Sequence, residues 1–243
     1  MGAGAQGETV RSLAEIEIFR DLDPAELARI AARCRWRHLQ SGEVVLDAGS
    51  DSREVFFIVE GAVDIVNFSL TGREVSFASL PAGDCFGELA AIDSQPRTAS
   101  VVAKEPSLIA VLDSQHFADL LQRRAEVTYR VLRRLITMVR SGDLRIMELS
   151  TLAATQRVYA EILRMAVPDA AVPGLWVVRP LPPLREVASR VSTTRETVAR
   201  ALSQLYPSGL VRRKGRNLYL MDRDKLEQLV KSLQADGEGK GGR

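Results

Sequence analysis

Between Gly42 and Asp113 the chain is cut into short Val-, Ile- and Phe-rich runs punctuated by glycine: "EVVLDAG", "EVFFIVEG", "AVDIVNF", "EVSFASLPAGD", "ASVVA" and "SLIAVLD". Short apolar runs at regular spacing, with glycine-bearing turns, predict a small antiparallel β-sandwich or roll. "SLTGREV" reads as a hairpin tip between two of these strands. Ahead of them, "SLAEIEIFRDLDPAELARIAARC" has helical apolar spacing, with Asp23 and Pro24 as an N-cap and first-turn pair.

From about Ser114 to Ser150 the pattern becomes helical. Leu132, Leu135, Val139, Gly142, Ile146 and Leu149 recur at spacings of 3, 4, 3, 4 and 3. That is a heptad seam, and it predicts pairing with a second copy in a parallel dimer; a core-facing helix within one chain is the alternative. A further helix is expected from about Leu152 to Met165, then a loop or short strand over "VPDAAVPGLWVVRPLPPL". "REVASRVSTTRETVARALSQLYPSGLVRRKGRNLYLMD" reads as helix, short turn, helix, and two short strands around Lys214-Gly215. The expected organisation is α+β: a β-roll domain with an N-terminal helix over 1–113, a dimerisation helix over 114–150, a helical domain with a strand pair over 151–234, and a disordered tail over 235–243.

Composition narrows the function. The 243 residues are 46% hydrophobic and 26% charged, ordinary for a soluble globular protein. No apolar run approaches a membrane span and no signal peptide is evident, so no membrane partner is expected. Cys34 and Cys85 are isolated, which argues against a cysteine-held iron–sulfur cluster or a disulfide framework and favours a cytoplasmic setting. His38 and His116 have no partner pattern, so neither a metal site nor a histidine-based triad is expected, and the chain does not read as an enzyme. The net charge of +2 hides an asymmetry. Residues 1–150 hold 17 Lys/Arg against 22 Asp/Glu, a net of −5, whereas residues 151–243 hold 16 against 9, a net of +7. A basic back half fits a nucleic-acid partner.

Two clusters carry chemistry. In "GDCFGELAAIDSQPRTASVVA", Gly87 allows close backbone approach. The run Glu88, Leu89, Ala90 can open a helical turn whose free N–H groups face an anion. Arg97 supplies a fork suited to phosphate oxygens, and Thr98 a hydroxyl. Glu88, acceptor-only when ionised, suits a ribose hydroxyl. Phosphate, ribose and a flat base among apolar strands describe a nucleotide; one Arg and no P-loop lysine argue against a triphosphate. In the second cluster, a short helix from Leu184, a turn "STT" and a helix "RETVARALSQLY" make a helix-turn-helix pattern, with Ser192 where such turns often carry glycine. Arg195, Glu196 and Arg200 lie at the start of the second helix, where Arg can read guanine and Glu can accept from cytosine.

The first cluster resembles the phosphate-binding cassette of cyclic-nucleotide-binding domains, and "RETVAR" resembles the recognition helix of the cyclic-AMP receptor branch of the CRP/FNR family. Together the resemblance spans nearly the whole chain, from β-roll through dimer helix to a winged helix-turn-helix with Gly209 to Leu220 as the wing. It implies a homodimeric, ligand-gated transcription regulator that binds palindromic double-stranded DNA with a TGTGA-like half-site and works with RNA polymerase. It also implies ligand contacts from Gly87, Glu88, Leu89, Ala90, Arg97 and Thr98, base reading by Arg195, Glu196 and Arg200 beside Thr194, and Gly142 and Asp143 as the helix positions facing the ligand's base. Asp143 with Thr98 looks like cyclic-GMP-selective domains, because a carboxylate complements the paired N1 and N2 donors of guanine and opposes adenine N1. Cyclic GMP is therefore the expected effector and cyclic AMP the alternative. A nucleotide-sensing signalling subunit without DNA binding is the competing class, disfavoured by the basic second helix.

Overall fold

The structure, a computed structural model, describes residues 13–68 and 74–237. Most of the hairpin tip read in "SLTGREV" and residues 238–243 of the expected tail lie outside the described residues. The chain divides into two compact units, Met1–Met138 and Val139–Arg243, so the division falls inside the long helix.

In the first unit, α1 (Pro24–Arg33) starts where Asp23 accepts from the Glu26 amide at 2.9 Å, as its N-cap chemistry predicts. Eight strands follow: β1 (Arg35–Leu39), β2 (Val44–Leu46), β3 (Val55–Glu60), β4 (Ala62–Phe68), β5 (Glu74–Pro81), β6 (Cys85–Phe86), β7 (Ser100–Ala103) and β8 (Ser107–Leu112). They form two antiparallel sheets, ordered β1-β8-β3-β6 and β2-β7-β4-β5, the sandwich expected from the punctuated runs. Strand β3 shows why its run is apolar without alternation: both of its faces are covered. Phe56 and Ile58 face the layer between the sheets, where Phe56 stacks on Phe86 with ring centres 4.8 Å apart. Val55 and Phe57 face the helices on the other side, with Phe57 against Phe19 at 4.6 Å.

Between β6 and β7 lies α2 (Glu88–Asp93). The helical region expected from Ser114 is two helices, α3 (Ser114–Arg123) and α4 (Ala125–Thr151). The break sits at Arg124, which leaves helical geometry at φ −126° and pairs with Glu26 at 2.7 Å. The turn lets Val127 and Val131 enter the core.

That orientation sets which apolar residues of α4 lie open. Leu135 is half-buried against its own unit's core. Tyr129, Leu132 and Ile136 are the exposed apolar residues here, each at least half exposed. Continuing their 3, 4 spacing along α4 passes through Val139, Asp143 and Ile146; Asp143 and Gly142 are both exposed.

In the second unit, α5 (Ala154–Met165), α6 (Leu184–Arg190), α7 (Arg195–Leu205) and α8 (Arg223–Gly237) surround a four-stranded antiparallel sheet. Its order is β11-β12-β10-β9, from β9 (Val167–Pro168), β10 (Trp176–Val178), β11 (Val211–Lys214) and β12 (Asn217–Leu220). The proline-rich stretch thus supplies two strands that extend the expected pair around Lys214-Gly215 on its β12 side. Val158, Ile162, Val187, Val198, Leu202 and Leu218 form the core that holds α6 and α7.

Candidate functional site

Gly87 turns the chain between β6 and α2 at φ +86°, a left-handed value that glycine adopts without strain. A Cβ there would lie 2.8 Å from Arg97 Nη1 and 2.8 Å from the Glu54 carbonyl oxygen. The space beside Gly87 is therefore already filled by the guanidinium of Arg97, ten residues on. This side chain is 5% exposed. Its Nη1 donates to Gly87 O at 2.7 Å, its Nη2 to Glu54 O at 2.7 Å and its Nε to Ser52 Oγ at 3.0 Å. Arginine carries five N–H donors, so one N–H on each terminal nitrogen is left over, a pair matched to two oxygens of an anion. Burial lowers the Arg97 pKa from its ordinary value, with Glu54 and Glu88 acting to raise it.

Glu88, the first residue of α2, is 3% exposed, and burial pushes its carboxyl up from the usual range. Leu89 is half-buried and Ala90 buried in the same turn, whose first amides point out of the helix at its start, that of Glu88 toward its own carboxylate. Thr98 is exposed beside Arg97. The backbone of Arg97 is pinned to the β2–β3 loop through Arg97 N to Ser50 O at 2.9 Å and Gly49 N to Arg97 O at 2.8 Å. Gly87, Glu88, Leu89, Ala90, Arg97 and Thr98 thus form one cradle with two oppositely charged buried side chains. Ser52 and Glu54 also belong to it and carry no motif in the sequence, because their role is to accept from Arg97 across a sheet edge. Gly142 and Asp143 are exposed on α4 in the second unit.

In the second unit, Ser192 ends the first helix of the pair at φ +52°, doing what glycine often does in such turns. Arg157 on α5 steadies it, donating through Nε to Val191 O at 3.0 Å and through Nη2 to Ser192 O at 3.4 Å. Thr194 caps α7 by accepting from the Thr197 amide at 3.2 Å. Thr194, Arg195, Glu196 and Arg200 are all exposed, while Val198, Ala201 and Leu202 anchor the opposite side of α7. Hydrogen bonds from its own amide and the Thr194 hydroxyl hold the Glu196 carboxyl below its ordinary pKa, which keeps it an acceptor. Arg212, Arg213, Lys214 and Arg216 stand exposed around the β11–β12 turn.

The cyclic nucleotide-binding domain matches residues 36–124, and the Crp-like helix-turn-helix domain matches residues 156–229. The chain belongs to the CRP/FNR family of transcription regulators. It is 29% identical over 199 residues to the cAMP-activated global transcriptional regulator Vfr of Pseudomonas aeruginosa, covering 79% of this chain and 92% of that one. A CRP-like cAMP-activated global transcriptional regulator of Mycobacterium tuberculosis is 26% identical over 216 residues, covering 88% of this chain and 96% of the other. Among solved structures, a CooA mutant from Carboxydothermus hydrogenoformans shares the fold with a TM-score of 0.72 at 20% identity, over 82% of this chain and 88% of that one. The family is one of regulators rather than enzymes, and its helix-turn-helix domain implies DNA binding. Among the described residues, no helix is long and apolar enough to cross a membrane and no His, Cys, Asp or Glu group is placed to hold a metal ion. Burial lifts both thiols to about 12, so at neutral pH Cys34 and Cys85 remain protonated.

Proposed function

We propose that this chain is a homodimeric transcription regulator whose affinity for palindromic DNA is set by a cyclic nucleotide held at the Gly87–Arg97 cradle. One observation carries the reading: a buried guanidinium and a buried carboxylate flank a glycine that no other residue can replace without a clash. Arg97 and the leading amides of α2 would take the cyclic phosphate, and Glu88 the ribose hydroxyl. The ligand must favour the DNA-competent arrangement, and a coupling of about 1–3 kcal/mol would give a several-fold to hundred-fold response. RNA polymerase completes the proposed set of partners.

For the base, the chemistry of Asp143 and Thr98 favours guanine, and cyclic GMP is our first choice. Asp143 stands on the exposed row of α4, where a lone polar residue in an apolar seam costs stability unless something satisfies it. Guanine N1–H and N2–H are suitable donors. Cyclic AMP is the second reading, favoured by the names of the Pseudomonas and Mycobacterium relatives. Calorimetric titration with cyclic GMP, cyclic AMP and the linear monophosphates, repeated with DNA present, tests both. Asp143→Ala is expected to erode the preference for cyclic GMP by about tenfold, the worth of one bidentate contact. A wild type that binds cyclic AMP more tightly decides for the second reading; one that binds neither cyclic form removes the proposal.

The dimer is proposed to form along Tyr129, Leu132, Ile136, Val139 and Ile146. Ile136→Lys is expected to yield a folded monomer in sedimentation, because a buried lysine in a seam is costly and this side chain is not part of its own unit's core. Leu135→Lys should instead lower the melting temperature, since Leu135 packs on the core. Equal dimer content in Ile136→Lys and wild type would refute the seam.

Arg195→Ala is expected to relax the choice at one guanine of the half-site at a cost of roughly 1–3 kcal/mol. Selection from randomised sites measures this directly, and an unchanged base preference would take Arg195 out of the reading set.

A further inference from the structure

Ser192 holds the turn between α6 and α7 at φ +52°, a left-handed value that a residue with a Cβ adopts only under strain. Glycine would take the same backbone path without that strain, so what serine adds at this position is its hydroxyl. The hydroxyl accepts from Arg145 Nη2 at 3.4 Å. Arg145 is half-buried and lies on the stretch of α4 that belongs to the second unit. Resting on the reading of α7 as the recognition helix, we propose that Arg145 is a positioning residue for DNA reading: through the Ser192 hydroxyl it fixes the angle at which α7 presents Arg195, Glu196 and Arg200 to base edges.

The contact acts where a small movement reaches the reading residues. Thr193, next in the chain, is buried, and its amide donates to Ala188 O at 2.9 Å; Thr194 after it caps α7. A shift at Ser192 therefore passes directly into the first turn of α7, which carries Arg195 and Glu196. Arg157 from α5 holds the same corner by the Val191 and Ser192 carbonyls, whereas Arg145 takes the serine side chain. Arg145 is itself set among charges. Burial lowers its pKa from the ordinary value and Arg164 adds to that, while Glu161 and Glu148 oppose both. Glu161, buried on α5, pairs with Arg164 and, at 3.4 Å, with Arg190 of α6. Glu148 of α4 pairs with Arg164 at 2.5 Å. These pairs join α4, α5 and α6 around Arg145, so its guanidinium meets the turn from a fixed frame.

The test compares specific with non-specific DNA affinity in the full chain, by fluorescence anisotropy with cyclic GMP or cyclic AMP present. The probes are the palindrome that the wild type selects from randomised duplexes and a scrambled duplex of equal length. For Ser192→Gly we expect a higher melting temperature, because the left-handed strain is gone, together with about a tenfold loss on the palindrome, the worth of one charge-assisted hydrogen bond. The scrambled duplex should bind as before, since phosphate contacts set non-specific binding and only base contacts need the reading angle. Ser192→Ala loses the hydroxyl and keeps the strain, so it should show the same specific loss without the gain in melting temperature. Arg145→Gln should show that loss too, and its combination with Ser192→Gly no further one. Wild-type affinity for the palindrome in either serine variant overturns the proposal. So do losses that add in the double variant, or that fall equally on both duplexes as a purely structural role requires. The serine variants decide the matter if thermal melting shows Arg145→Gln unfolded. A wild type that selects a palindrome and is matched by Ser192→Gly refutes this inference alone. One that selects no sequence refutes the reading of α7 and this inference with it.

Discussion

Arg97→Leu is expected to abolish cyclic-nucleotide binding and to destabilise the β-roll in the same stroke. The guanidinium supplies the only arginine fork in the cradle and has two N–H groups uncommitted. Charge-assisted hydrogen bonds are worth about 1.5–3 kcal/mol each, so losing two of them weakens binding on the order of a hundred-fold or more, for cyclic GMP and cyclic AMP alike. Leucine also leaves the Gly87 and Glu54 carbonyls without their donor, at a further cost of roughly 2–4 kcal/mol in folding. Calorimetry reads the first effect and thermal unfolding the second. A variant that keeps nucleotide affinity within a few-fold of wild type would show that the phosphate is held elsewhere.

Gly87→Ala should have a comparable effect by a different route. The backbone at φ +86° penalises any Cβ by about 1–2 kcal/mol. The new methyl would also sit 2.8 Å from both Arg97 Nη1 and Glu54 O, contacts that only a shift of backbone or guanidinium can relieve. Such overpacking adds typically about 1–3 kcal/mol, and it displaces the group that meets the phosphate. Nucleotide affinity and melting temperature are expected to fall together. Gly42→Ala is the control: it has a similar φ of +84° but nothing within 4 Å of its Cβ, so it should carry the backbone penalty alone. Equal behaviour of the two variants would mean that crowding at Gly87 contributes nothing.

Much of the organisation was legible in the residues because it is encoded locally. Glycine punctuation marked the strands of the sandwich, Asp23 and Thr194 marked helix starts, and the spacing from Gly87 to Arg97 marked the cradle. Each of these depends on a few neighbouring residues and on backbone preferences that act over one turn or one strand. Arg195, Glu196 and Arg200 were legible for the same reason: three polar residues on the side of a helix opposite its apolar anchors have to be exposed.

What the sequence could not decide was which way each helix rolls and which distant groups meet. The heptad count along α4 could not tell that Leu135 packs against the core, because the break at Arg124 sets the helix's rotation through the burial of Val127 and Val131. That rotation, not the spacing, puts Ile136 outside. In the same way Ser52 and Glu54 are ordinary polar residues until the sheet brings them to Arg97. Periodicity determines that a helix has an apolar face; only the burial of neighbouring side chains determines where that face points, and a hydrogen bond between residues 45 positions apart leaves no trace in the local pattern of either.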